Sequence, residues 1–297
     1  MSTKIAIIGV GNVGATIAYA LISQKLASEL LLVDNNIDKC SGELLDLQDA
    51  AALMGATKVS VATLTQAGQA DIIIISAGMP QKIGELRHAL YQANARIIKT
   101  IIAELKPHLR PSACIIIVTN PVDLMTKIAV TESGLPAGQV FGSGTLLDTT
   151  RLQILIAQTL HIPPNQVSAL VIGEHGDSQV PVWSATTVAG EPASQKFSSE
   201  QQQDLARKAM QKAYEIIRCK GATYYGVAWC VATYCHAIIN DTKRTVPVSS
   251  WHENYGTCFS MPAVIGKKGI ETLGNLSLTP TEQEQLAASI QAINSRN

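Results

Sequence analysis

His175 stands in the segment Ile172-Gly173-Glu174-His175-Gly176-Asp177, and three upstream motifs give it a chemical setting. An imidazole titrates near neutrality, which suits a group that must both give and take a proton. Gly9-Val10-Gly11-Asn12-Val13-Gly14 forms a glycine-rich turn near the start of the chain. Asn120-Pro121-Val122-Asp123 follows an apolar run, and Asp148 and Arg151 follow the bend Phe141-Gly142-Ser143-Gly144. The planar fork of an arginine can hold a carboxylate through two charge-assisted hydrogen bonds, which a lysine cannot reproduce. A dinucleotide grip, a proton donor and a carboxylate clamp are the parts needed to move a hydride to or from a small 2-hydroxy acid.

Each motif also has a plainer reading. Three glycines at this spacing occur by chance in loops, but here they follow a strand-like run directly and open a helix. In that context Gly9 permits a tight turn, Gly11 lets the backbone approach a pyrophosphate, and Gly14 lets helix and sheet pack closely. The helix N-terminus adds free N–H groups and a positive dipole end. Asp34, 20 residues after Gly14, is placed to accept a ribose diol and to repel a 2′-phosphate, which favours NAD. Alternatively it is a turn acid capping the next helix, with Asp38 a rival. Asn120 could be an ordinary N-cap with Pro121 at the first helical position. Asp148 and Arg151 share a helix face and, alone, would more often be a surface ion pair. An isolated His175 would more often be a turn histidine.

These groups need a scaffold, and the apolar pattern supplies one. Continuous apolar runs at 4–9, 30–34, 59–62, 71–76 and 114–119 lack polar alternation, as in parallel strands covered on both faces. Helical stretches at 13–24, 39–53 and 87–105 separate them, so the first half reads as βαβ units in a doubly wound α/β sheet of the Rossmann type. Beyond the glycine bend the pattern changes to a helix at 148–160, short strands at 167–172 and 180–188, and a long helical pair over 199–239. Strands at 245–249 and 257–264 and a polar helix after Pro280 follow. The expected division is therefore 1–143 for dinucleotide binding and 144–297 for an α+β substrate-binding, catalytic domain.

Composition sets the outer limits. Hydrophobic residues are 46% of the 297 and charged ones 15%, with a formal net charge of +0, which argues against a nucleic-acid partner. No apolar run approaches the roughly 18 residues of a membrane helix, and Met1-Ser2-Thr3-Lys4 has no signal-peptide profile. The six cysteines show neither CxxC spacing nor matching histidines, so buried free thiols in a reducing cytoplasm are expected, with no metal.

Taken together, the motifs resemble the L-lactate/malate dehydrogenase family over essentially the whole chain. The matching segments are Gly9–Gly14, Ser76-Ala77-Gly78, residues 81–87, Val118 to Asp123, Gly142-Ser143-Gly144-Thr145, Leu147-Asp148-Thr149-Thr150-Arg151, residues 173–177 and Gly221-Ala222-Thr223-Tyr224-Tyr225-Gly226. The resemblance implies that His175 is the acid/base and that Asp148 orients it and favours its protonated form. It implies that Arg151 holds the substrate carboxylate and Asn120 bonds the reacting oxygen. Arg87, on a closing loop over 79–86, would polarise the carbonyl and help expel water. For NAD it implies Gly9, Gly11, Asn12, Val13, Gly14, Asp34, Lys39, Ala77, Gly78, Thr100, Val118, Thr119, Asn120 and Ser143.

The family divides largely at one loop position, here Gln81, where malate enzymes carry an arginine for the second carboxylate. A neutral glutamine, with Thr223 on the opposite wall, points to pyruvate and L-lactate. Met79-Pro80 resembles the malate branch instead, and Leu86 and His88 depart from the usual neighbours of the loop arginine. Malate and branched-chain 2-oxo acids therefore stay open as substrates. A catalytically silent NAD-binding relative would be expected to lose one of Arg87, Asn120, Asp148, Arg151 or His175. A metal-using NAD-dependent glycosidase would need a cysteine beside Asn120, where none stands. Some bacterial members bind fructose 1,6-bisphosphate between subunits through an arginine and a histidine. Gln153 and Ser168 stand at those positions, so a homo-oligomer, tetramer or dimer, insensitive to that ligand is expected.

Overall fold

The computed structural model describes residues 3–55, 57–79 and 87–296, the side chains of 87–89 excepted. The first half runs β1 (Lys4–Ile8), α1 (Asn12–Ser23), β2 (Glu29–Val33), α2 (Ile37–Met54), β3 (Lys58–Val61), α3 (Leu64–Ala67), β4 (Ile72–Ile75), α4 (Arg87–Leu105), β5 (Cys114–Ile117), α5 (Val122–Ser133) and β6 (Val140–Gly142). The second half runs α6 (Leu146–Leu160), β7 (Val167–Ser168), β8 (Val171–Ile172), β9 (Val180–Pro181), β10 (Thr187–Val188), β11 (Glu191–Pro192), α7 (Ser199–Lys220) and α8 (Tyr225–Ile239). It closes with β12 (Arg244–His252), β13 (Thr257–Gly266), β14 (Gly269–Leu273) and α9 (Pro280–Asn294).

Six strands pair in parallel in the order β6-β5-β4-β1-β2-β3, with direction of winding reversing between β4 and β1. Alternate residues of these strands feed two separate cores. Ile5, Ile7, Ile72, Ile74 and Ile116 pack with α1, α2 and α8 on one face. Ala6, Ile8, Ile73, Ile75, Ile115 and Ile117 pack with α4, α5 and α9 on the other. Burial on both faces is why Ile72-Ile73-Ile74-Ile75 shows no polar alternation, each residue being fully buried.

The second half differs from expectation in several places. β12 pairs antiparallel to β6, and β13 and β14 follow, so one nine-stranded sheet continues across residue 143. The segment read as a bend at 141–144 begins as β6, and α3, α5 and β14 had no assigned place; each is too short or too mixed for a local pattern. The run at 180–188 is two two-residue strands parted by a 3₁₀ turn at Trp183–Ala185. All six cysteines are free and five are buried, but Cys219 is exposed in the last turn of α7. Among the described residues, no helix is long and apolar enough to cross a membrane.

Candidate active site

The ends of β1, β4, β5 and β6 open onto one edge of the sheet, the edge at which doubly wound folds bind ligands. There a cavity of about 240 Å³ is lined by Val13, Val118, Asn120, Ser143, Asp148, Arg151, His175, Thr223 and neighbouring residues. Residues separated by more than 200 positions in sequence thus share one wall.

On its wall the Asp148 carboxylate bridges an imidazole and a guanidinium. His175 Nδ1 lies 2.5 Å from Asp148 Oδ2, and Arg151 Nη1 donates to Asp148 Oδ1 at 3.1 Å. Asp148 and Arg151 are 3% and 5% exposed, so the surface-pair reading fails; the one-turn spacing on α6 aims both side chains inward. Thr145 occupies the N-cap position of α6. Burial opposes ionisation of Asp148, but the charge and hydrogen bond of His175, with Arg151, hold its pKa below the usual carboxylate value. Burial likewise opposes the imidazolium, but Asp148 outweighs it and raises His175 above the ordinary 6.5. With Nδ1 committed to Asp148, Nε2 is the ring nitrogen left to carry a reacting proton.

This geometry is set by backbone anchors. Thr145 Oγ1 donates to the Val171 carbonyl at 2.5 Å and Thr149 Oγ1 accepts the Val171 N–H at 2.9 Å, which locks α6 onto β8 just before the His175 turn. Asp123, 3% exposed on α5, accepts the His175 N–H at 2.9 Å and the Ser249 hydroxyl at 2.6 Å. Burial pushes its carboxyl up to about 6, against the pull of those two donors. Asn94 on α4 is buried and ties Met79 to the Asn120 turn, accepting the Met79 N–H at 2.7 Å and donating to the Asn120 carbonyl at 2.7 Å. Asp123 and Asn94 carried no expected role, and no local pattern in the sequence marks either. The Asn120–Pro121 bond is cis and Pro121, rather than Asn120, takes the N-cap position of α5. Asn120 is exposed on the cavity side.

The glycine turn passes a test of fit for a dinucleotide. Gly9 has φ +91°, and a Cβ on Gly14 would sit 1.9 Å from the Gly9 carbonyl oxygen, so neither position tolerates a side chain. A Cβ on Gly11 would meet only Lys39 Nζ, at 3.9 Å, leaving open space against the backbone there. Gly11 is also the N-cap of α1 and makes no side-chain cap, so the first-turn N–H groups are free for an anion. Asp34 is fixed at the end of β2, accepting the Val10 N–H at 2.8 Å and the Asn36 N–H at 2.9 Å; Asn36, not Asp34 or Asp38, caps α2. Thr119 Oγ1 donates to the Ala77 carbonyl at 2.7 Å, and a Cβ on Gly78 would meet Thr119 Cγ2 at 2.5 Å, so these residues close the floor beside the turn. Asn12 opens α1 and is exposed. Thr100 lies on the exposed face of α4. Gln81 and most of the proposed loop lie outside the described residues, as does the side chain of Arg87.

Two family models match the chain: lactate/malate dehydrogenase, NAD binding domain, over residues 3–142, and its alpha/beta C-terminal domain over residues 145–296. L-lactate dehydrogenase A of Rhizopus oryzae is 42% identical, covering 99% of this chain and 92% of its own. A lactate dehydrogenase from a Medee basin deep-sea metagenome library superposes with a TM-score of 0.94 at 33% identity, covering 99% of this chain and 98% of its own. The minor L-lactate dehydrogenase of Enterococcus mundtii gives 0.93 at 37% identity, covering 99% and 97%.

Proposed function

The chain belongs to the lactate/malate dehydrogenase family and is an NAD-dependent oxidoreductase; from that premise we propose that it interconverts pyruvate and L-lactate. The observation that carries the reading is the Asp148 carboxylate spanning His175 and Arg151 on the wall of the cavity. NADH, when bound, would supply a hydride for C2 of the substrate. Arg151 pairs with the substrate carboxylate and Asn120 bonds its carbonyl oxygen. His175, kept protonated by Asp148, gives its proton to that oxygen and takes it back in the reverse direction. By the family resemblance Arg87 would polarise that oxygen and Gln81 would select the substrate side chain, with Thr223 on the cavity wall. Gly9, Gly11, Val13, Gly14, Asp34, Ala77, Gly78, Val118, Thr119 and Ser143 hold the cofactor, with Asn12 and Lys39 at its rim.

The division near residue 143 separates the cofactor-binding part from the part bearing His175 and Arg151. A cytoplasmic homo-oligomer, most readily a tetramer, completes the proposal. The reading is tested by kcat/KM for pyruvate and oxaloacetate with NADH in the wild type and in Gln81→Arg. Pyruvate should be clearly preferred by the wild type. The new cation should favour oxaloacetate by roughly tenfold to a hundredfold, the worth of a charge-assisted contact. A wild type that already prefers oxaloacetate would remove pyruvate as the substrate, and a ratio that the substitution leaves unchanged would show that Gln81 does not set specificity. His175→Asn should lose about 10²–10⁴-fold in turnover while still binding NADH.

A further inference from the structure

The turn that carries His175 is held by a helix from the other end of the chain. Glu174, 5% exposed, precedes His175 directly. Its Oε1 pairs with Arg296, just beyond α9, and its Oε2 accepts the Ser178 hydroxyl at 2.5 Å and the Ser178 N–H at 3.3 Å. The Glu174 N–H donates to Ser289 Oγ of α9 at 2.9 Å, and Ser289 is fully buried. The next N–H, that of His175, goes to Asp123 of α5. Two consecutive peptides are thus clamped by side chains from two distant helices. Gly173, at φ +80°, leaves the space that Ser289 Oγ fills, since a Cβ there would come within 2.6 Å of it. Glu174 and Arg296 line the same cavity as His175 and Arg151.

A buried carboxylate deprived of its cation is costly, and its segment can relieve that cost by moving toward water. Such a movement would carry His175 away from Asp148, and a displacement near 1 Å at a reacting group can cost on the order of 10²-fold in rate. We infer that Arg296 and Ser289 of the C-terminal segment are positioning residues for His175, acting through Glu174. The inference rests on His175 being the acid/base of the proposed reaction.

The test compares wild type, Arg296→Met, Arg296→Lys and the double variant Glu174→Gln with Arg296→Met. Arg296→Met should lose about tenfold to a hundredfold in kcat, with KM for NADH within about twofold. Arg296→Lys should recover most of that loss. The double variant should outperform Arg296→Met, because no uncompensated charge remains. Amide exchange over residues 174–178 should quicken about tenfold or more in Arg296→Met, with β4 unchanged. Kinetics use the 2-oxo acid that the wild type reduces fastest, so indifference to pyruvate would overturn the substrate and not the clamp. The exchange measurement needs no substrate. Wild-type kcat in Arg296→Met, an equal failure of Arg296→Lys, or unchanged exchange at 174–178 would each overturn the inference.

Discussion

At the scale of single residues, the charge state of His175 is governed by Asp148. Reduction needs the imidazolium, so kcat/KM for a 2-oxo acid should fall as pH rises through a pKa above the ordinary 6.5, while oxidation of the hydroxy acid rises. Asp148→Asn removes the principal interaction that raises this pKa. The alkaline limb should therefore move to lower pH, with a loss of roughly tenfold to a hundredfold in the plateau. A limb that stays in place would show that Asp148 does not set the proton affinity. Asp123, unlike Asp148, has its own pKa raised. Its folded-state pKa of about 6 exceeds the ordinary 3.8, so the folded protein binds the proton more tightly than the unfolded chain. Between about pH 7 and pH 4, acidification should favour the wild type relative to Asp123→Asn. Urea titrations of both proteins across that range measure the difference, and a pH-independent difference would refute the assignment.

At the scale of elements, the crossing of β1, α1 and β4 separates a packing glycine from a binding glycine. A methyl group on Gly14 would collide with the Gly9 carbonyl and Ser76 Oγ, whereas one on Gly11 would meet only the tip of Lys39. Gly14→Ala should therefore destabilise the protein and lose NADH binding together. Gly11→Ala should keep its melting temperature and weaken NADH alone, because the methyl group occupies the space left for the pyrophosphate. Calorimetry with fluorescence titration of NADH distinguishes the two. Equal loss of stability in both variants would contradict the division of roles.

At the scale of the molecule, the helical surface carries unusual exposed apolar area. Ile37, Leu45 and Leu53 of α2 are 72%, 64% and 90% exposed, and Trp229 of α8 is 60% exposed. Such area fits burial between subunits. Sedimentation should give a multiple of the 31.6 kDa chain, and fructose 1,6-bisphosphate should change neither that mass nor the KM for pyruvate. Gln153 turns toward the Val167 carbonyl and offers no cation to a phosphate. A fall in KM on adding the sugar phosphate would disprove this.

The family resemblance pointed to the Asp148, Arg151 and His175 set, and the chain alone revealed the parallel strands and the glycine turn with Asp34. Those features are local: a strand buried on both faces must be apolar throughout, and a phosphate turn needs glycines at fixed steps. The sheet's extension through β12 to β14, the burial of the Asp148–Arg151 pair, and the anchors Asn94, Asp123, Glu174, Ser289 and Arg296 were not legible. Each joins groups far apart in sequence, and no periodicity records which buried donor will meet which acceptor. Folding brings α5, α6 and α9 against one turn, where the carboxylates of Asp148 and Asp123 raise the pKa of His175 above its ordinary value.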